Sequence, residues 1–166
     1  MASHTSQAAA PATKRTPNQQ IDPRGPRFGA VITTLVLAVI LVLGPASPVA
    51  AVLLTIQVLA FAAGSIFGLK AHPYGWIFRT FVRGRLGPPS ELEDEAPPRF
   101  AQSVGLVFGL AAAAGLLLGF DVLFYVATSF ALAAAFLNAA FNFCLGCEMY
   151  LLIKRIGVGN KPIAQA

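Results

Sequence analysis

Of the 166 residues 56% are hydrophobic and only 11% are charged, less than half the roughly 25% charged share of an ordinary soluble domain. The formal net charge of +5 accompanies long uncharged runs, so it reads as a membrane-orientation signal and as contact with anionic lipid, not as nucleic-acid binding.

Residues 1–20 are rich in Ala, Ser, Thr, Pro and Gln and are expected to form a disordered cytoplasmic tail. They hold no apolar core of their own, so they are not a signal peptide, and the first helix is expected to serve as an uncleaved anchor. Four apolar runs follow, at 28–43, 49–69, 101–120 and from 122 to about 153, and the first three contain no charge. A bilayer core of about 30 Å takes about 20 helical residues, and helices of a soluble bundle would need polar outer faces that these runs lack. The expectation is an all-α membrane protein with four transmembrane helices in a domain spanning 21–155, followed by a cytoplasmic tail at 156–166.

Between helices two and three lies a loop at 72–99. Its first part carries Trp76, Ile77, Phe78, Phe81 and Val82 among Arg79, Arg83 and Arg85, which suits a short helix at the lipid interface, with Pro73 expected to kink or end helix two. The second part is acidic. Ser90 and Glu93 have capping-box spacing, and the acids around them could pair with nearby arginines, a contribution that exposed pairs keep small.

All twelve Lys and Arg residues fall before helix one, between helices two and three, or after helix four, while the connections at 44–48 and 119–121 carry none. The positive-inside rule then makes both termini and the middle loop cytoplasmic in a multi-pass protein of the bacterial cytoplasmic membrane.

The second half also repeats the first. Residues 67–79 align without a gap on 143–155, matching Phe, Leu, Tyr, Ile and Arg, and Pro26-Arg27-Phe28 and Pro98-Arg99-Phe100 each open an apolar run. The unit is a helical hairpin used twice in the same orientation, repeat one at about 26–79 and repeat two at about 98–155, related by an axis along the membrane normal. Small residues mark helix contacts: Gly105, Gly109, Ala112, Gly115 and Gly119 in helix three, Ala60, Gly64 and Gly68 in helix two, and Ala127, Ala131, Ala135 and Ala139 in helix four. Thr55, Gln57, Asn138 and Asn142 lie at membrane depth and are expected to act as interhelical hydrogen-bond glue.

The copies differ where chemistry could sit: Gly68, Ala71 and His72 stand opposite Cys144, Cys147 and Glu148. Cys144 lies about 33 Å along helix four from Val122, near the cytoplasmic boundary. The C-x-x-C spacing puts both sulfurs on one face, within reach of a disulfide, and Gly146 is expected to loosen that turn. In the cytosol such a pair is more often catalytic, redox-sensing or metal-binding than structural. Against this, a continuous helix four puts the pair toward a helix C-terminus, where the dipole disfavours thiolate, and free cysteines also serve as plain packing residues. A metal site of Cys144, Cys147 and His72, with Glu148, is the alternative donor set; no cofactor is required by the sequence, and His72 beside Pro73 also suits a capping role. No charge lies near the bilayer centre, so an ion-coupled transporter finds little support.

The motif Phe141-Asn-Phe-Cys-Leu-Gly-Cys-Glu-Met-Tyr150, with Pro97-Pro-Arg-Phe-Ala-Gln102 upstream, resembles an uncharacterised family of small bacterial integral membrane proteins, catalogued as a domain of unknown function, over about 21–155. Members carry a C-x-G-C motif in the last transmembrane helix and are often encoded beside thioredoxin-like proteins or sulfurtransferases. The resemblance implies thiol or sulfur chemistry at Cys144 and Cys147 and a cytosolic thioredoxin-like or sulfurtransferase partner. From the residues, three functions stand: a thiol-disulfide or sulfur carrier, with the more exposed cysteine (Cys147 by expectation) attacking; a non-catalytic membrane subunit or anchor with structural cysteines; and a metal site at the cytoplasmic rim. A homo-oligomer is left open.

Overall fold

The computed structural model describes residues 20–159 apart from residue 90; the expected N-terminal tail, Ser90 of the capping-box pair and 160–166 lie outside the described residues. Four helices are long and apolar enough to cross a membrane: α1 (Arg24–Leu43), α2 (Pro48–Ile66), α5 (Ala96–Leu118) and α6 (Asp121–Phe141). Between α2 and α5 run α3 (Pro73–Ile77), a π-helical turn at Phe78–Val82, and α4 (Arg83–Leu86); α7 (Leu145–Gly159) follows α6. Two-residue strands β1 (Gln20–Ile21) and β2 (Glu93–Asp94) pair antiparallel, Gln20 with Asp94 and Ile21 with Glu93. That pairing joins the entries of α1 and α5.

The long helices form a ring in which α1 packs on α2 and α6, and α5 packs on the same two. Leu37, Ile40, Ala50, Leu54, Ala112, Phe124, Ala127 and Ala131 make the continuous core. They come from the end of α1, the start of α2, the later half of α5 and the start of α6, so packing is densest at the end closed by the tight turns 44–47 and 119–120. Ser47 starts α2 by accepting the N–H of Ala50 through its hydroxyl (3.4 Å), with Pro48 in the first turn. Outward, large apolar side chains such as Leu35, Leu59 and Leu117 stand 63%, 63% and 79% exposed. A surface of that kind belongs in lipid, where it costs nothing to leave bare.

The small-residue stripe of α5 does the work its spacing implies. A Cβ at Gly105 would meet the Phe61 ring at 2.8 Å, one at Gly109 would meet Val58 at 3.0 Å, and one at Gly115 would meet the Phe124 backbone nitrogen at 2.6 Å. Gly105 and Gly109 therefore admit α2, and Gly115 admits α6. Gly68 departs from its expected packing role: its φ of +88° belongs to the turn after α2, a conformation open to glycine.

Two helix ends differ from expectation. Helix two stops at Ile66, before the Pro73 expected to end it, and Pro73 instead opens α3, where its missing N–H is no loss. Helix four does not run to about 153. It stops at Phe141 because Asn142 takes the left-handed conformation (φ 56°), with its N–H on the Asn138 carbonyl (3.1 Å) and that of Phe143 on the Leu137 carbonyl (3.2 Å). Asparagine tolerates this conformation better than most residues, since its short amide bonds locally. The chain then restarts as α7, packed mainly on α5, and the helix extends through 156–159, which had been assigned to the tail.

The interfacial segment is likewise only partly as expected. Trp76 and Phe81 are exposed and make an edge-to-face pair with centroids 6.2 Å apart, the arrangement of an aromatic belt. Phe78 and Tyr74 turn inward: Phe78 sits against Phe28 (5.7 Å), and the Tyr74 hydroxyl donates to Gln57 Oε1 (3.0 Å). Gln57, fully buried, also reaches Thr33 (3.5 Å), which makes it the expected glue. Thr55 is not: its hydroxyl donates to the Ala51 carbonyl of its own helix (2.8 Å).

Gly115→Ala is expected to destabilise the protein in detergent by about 1–3 kcal/mol, because the new methyl meets backbone that cannot rotate away. Gly119→Ala tests left-handed strain alone, since no atom lies near that position. Thermal unfolding of the two variants reads the difference, and an unchanged melting point for Gly115→Ala contradicts the close approach.

Candidate functional site

The break at Asn142 changes the setting of the cysteines. Cys144 is the residue immediately before α7, and Cys147 lies in its first turn. The Cys147 N–H points at Cys144 Sγ (3.3 Å), the Glu148 N–H bonds the Cys144 carbonyl (3.0 Å), and the two residues are joined as a disulfide with Cα atoms 5.2 Å apart. The pair therefore sits at a helix N-terminus, not toward a C-terminus. There the dipole and the unpaired N–H groups favour a thiolate, so the electrostatic objection to thiol chemistry falls away, with Glu148 in the same turn as the opposing charge.

Gly146 has a different role from the one expected. It is buried, and a Cβ on it would lie 2.6 Å from both Cα and Cβ of Ala101. It is the contact point that lets α7 lie on α5, reinforced by Phe100 against Tyr150 (5.9 Å). The glycine inside the cysteine motif thus fixes the sulfurs relative to the bundle. Both cysteines are half-buried, so exposure does not single out Cys147 as the attacking sulfur.

Below Cys144 the bundle holds a cavity of about 270 Å³. Its walls come from α1, α2, α5, α6 and α7; Thr33, Gln102, Asn138 and Cys144 are its polar residues, and among the described residues no charged one lines it. Ala135, expected at a helix contact, lines this space instead.

A second cavity, of about 310 Å³, lies under α3 and the start of α1, lined among others by Asp22, His72, Arg79 and Arg83. Gln102 lines this one too. His72 precedes α3 without a side-chain capping bond and is only 4% exposed. Its Nε2 and the Oε1 of the facing Gln102 are both buried without a hydrogen-bond partner. Burial drives the His72 pKa down from 6.5 to about 4, a shift the Gln102 amide opposes only in part. The imidazole is thus held neutral by its burial. At the mouth, the Arg24 side chain binds Asp22 (2.9 Å) and keeps that carboxyl below its usual range.

Among the described residues no group of three or more His, Cys, Asp or Glu gathers in a way that could hold a metal ion. The rim set of Cys144, Cys147 and His72 is accordingly not assembled: His72 lines one cavity and Cys144 the other, and Gln102 lines both.

Arginines finish this end of the bundle. Arg99 donates to the carbonyls of Ser65 (2.9 Å) and Ile66 (2.8 Å) at the end of α2, and Arg27 to that of Ala139 (3.3 Å) near the end of α6. Arg79 reaches the carbonyls of Leu69 (3.4 Å) and Lys70 (2.6 Å), and Glu95 accepts the Leu69 N–H (2.7 Å). Glu95 therefore binds backbone in the turn after α2, where pairing with an arginine had been expected.

Two measurements check this geometry. Gly146→Ala is expected to lift α7 from Ala101 and lower stability by about 1–3 kcal/mol, and it should also change the rate at which the disulfide is reduced. Between pH 6.5 and 4 the unfolded chain takes up a proton at residue 72 that the fold refuses, so stability must fall as pH falls through that window. The loss should reach about 3 kcal/mol at its lower end. His72→Gln should flatten the melting-temperature profile from pH 7 to 4; equal slopes in both proteins would show that the imidazole is not buried neutral.

No curated protein and no solved structure matches this chain. The family model for the domain of unknown function DUF4395 matches residues 21–155, from the first strand to the middle of α7. The chain is therefore a member of the DUF4395 family.

Proposed function

We propose that this protein is a thiol-disulfide carrier of the bacterial cytoplasmic membrane, with Cys144 and Cys147 on the cytoplasmic side and a thioredoxin-like protein or sulfurtransferase as the soluble partner. The observation that carries the reading is the pair itself: a C-x-x-C whose first sulfur accepts the N–H of the second cysteine at the start of a helix. In the reduced state the Cys144 thiolate attacks one sulfur of the partner's disulfide. A mixed disulfide forms and the partner's other sulfur leaves as thiolate. Cys147, deprotonated, then attacks Cys144, the Cys144–Cys147 bond forms, and the partner departs as a dithiol. A persulfide on Cys144 is the corresponding sulfur-carrying state.

The orientation is supported by charge. Arg24, Arg27, Arg79, Arg83, Arg99 and the cysteines all lie at the bundle end formed by the starts of α1 and α5 and the ends of α2 and α6. The turns at the other end carry no Lys or Arg. The internal duplication is supported by exchanged contacts. Arg27 of repeat one serves the end of α6, Arg99 of repeat two serves the end of α2, and α3 packs on α1 as α7 packs on α5. A common axis along the membrane normal would relate the two halves.

Titration of purified protein in a glutathione redox series, with alkylated thiols counted by mass, is expected to give one reversible two-electron transition. Cys147→Ser should then accumulate a mixed disulfide with an added thioredoxin-like protein, while Cys144→Ser should not. If neither variant traps the partner and the wild-type thiols never change state, the cysteines are structural and the protein is a membrane subunit or anchor.

A further inference from the structure

Run in the opposite direction, the same exchange lets a reduced partner's dithiol regenerate the Cys144–Cys147 dithiol and leave as a disulfide; a carrier reduced in this way needs an electron acceptor, and the cavity beneath Cys144 has the chemistry of a site for one. It is mainly apolar, and among the described residues no acidic or basic one lines it, so a nucleotide, a flavin phosphate or any other charged carrier would be left without a counter-charge there. Phe61, Phe108 and Phe130 line it, and the rings of Phe108 and Phe130 lie nearly parallel, 5.9 Å apart at 22°. Such walls suit a flat ring. The volume of about 270 Å³ lies just under the roughly 300–1,000 Å³ of drug-sized sites, enough for one substituted ring. Phe130, Leu145 and Met149 on the lining are 59%, 38% and 47% exposed, apolar surface that an apolar tail could cover.

One polar group shared by the two cavities has no hydrogen bond among the described residues. Gln102 lines both, and its Oε1 is buried against His72 without a hydrogen-bond partner. A buried acceptor in that state is costly, and a primary amide offers both a donor and an acceptor. It can donate to a carbonyl oxygen and accept from a hydroxyl. A carrier whose carbonyls become hydroxyls on reduction needs just that pair of abilities.

We propose that this cavity binds a membrane quinone and that the Cys144–Cys147 dithiol passes two electrons to it. The proposal rests on the thiol-carrier reading and names its electron acceptor. Both S–H bonds break and the S–S bond forms. Two electrons and two protons pass to the quinone, whose two carbonyls become the hydroxyls of the quinol. The Gln102 amide donates to the quinone before the transfer and accepts from the quinol after it.

The test uses full-length protein in nanodiscs, reduced and freed of reductant, then mixed with decylubiquinone. Loss of quinone absorbance and loss of alkylatable thiols are followed together. One quinone is expected to be reduced per pair of thiols lost, faster than by the same concentration of dithiothreitol. Ala134→Phe, which fills the cavity, should slow the reaction by about tenfold or more. Gln102→Leu should slow it by about tenfold, the weight of one hydrogen bond. Circular dichroism melts identify any variant that has not folded; the wild-type comparison with dithiothreitol stands without either variant. A wild-type rate no greater than that of dithiothreitol, with thiols that still exchange normally with glutathione, overturns the quinone site and leaves the carrier. Thiols inert to both glutathione and quinone overturn the two together.

Discussion

In an apolar helix that has already crossed the bundle, the next residue will continue the helix unless its own backbone hydrogen bonds can be met in another conformation. Asn142 meets that condition with a positive φ and an N–H returned to Asn138. Everything chemically distinctive about the chain depends on this single reversal. Without it, residues 144 and 147 would be two side chains on the flank of a long helix, with their N–H groups spent on the preceding turn. With it, a new helix begins at the cysteines, its first N–H groups are free for sulfur, and its axis is free to lie on α5. Gly146 then sets how closely it lies.

The same end of the bundle is where packing is sacrificed for space. At the far end Phe124, Leu37 and Ile40 are buried to 0–1%, and Gly115 brings α6 onto α5. Toward the cysteines the alanines of α6 no longer meet a neighbour but line a cavity, and the polar residues Thr33, Gln102 and Asn138 gather around it. Small residues have thus two uses along one helix: at Ala127 they close a contact, Ala131 serves both the core and the cavity wall, and Ala134 and Ala135 leave a space. A dense end holds the helices in register, so the open end can be hollow without collapsing.

Much of this was legible in the sequence because lipid imposes simple rules. Four apolar runs, three basic clusters and a glycine stripe in α5 are one-dimensional patterns, and the four long helices and the contacts of Gly105, Gly109 and Gly115 follow them. The helix ends were not so legible. Asn142 reads as polar glue because it sits inside an apolar run, and Pro73 reads as a stop because proline usually marks one; the left-handed turn at Asn142 ends α6 through its bonds to Asn138 and Leu137, and α2 stops at Ile66, ahead of the proline. The role of Gly146 needs the position of Ala101, 45 residues earlier in the chain, and no local pattern carries that distance. In the sequence Gln102 is only the last residue of the Pro97–Gln102 motif. Its significance lies in facing His72 and two cavities at once, a property of three dimensions alone.

The arginine contacts have a consequence for how the protein is made. The last carbonyls of α2 are satisfied by Arg99, a residue 33 and 34 positions later, and Arg27 waits for a carbonyl 112 positions downstream. As the chain leaves the ribosome, the first hairpin reaches the membrane with the end of α2 bonded only to water and headgroups. Its final seat exists only after α5 has entered, and Arg27 finds its own acceptor later still, when α6 closes the ring. Biogenesis is therefore not the stacking of one finished hairpin on another. The early helices are held provisionally, and the fold locks from both directions when the last span arrives.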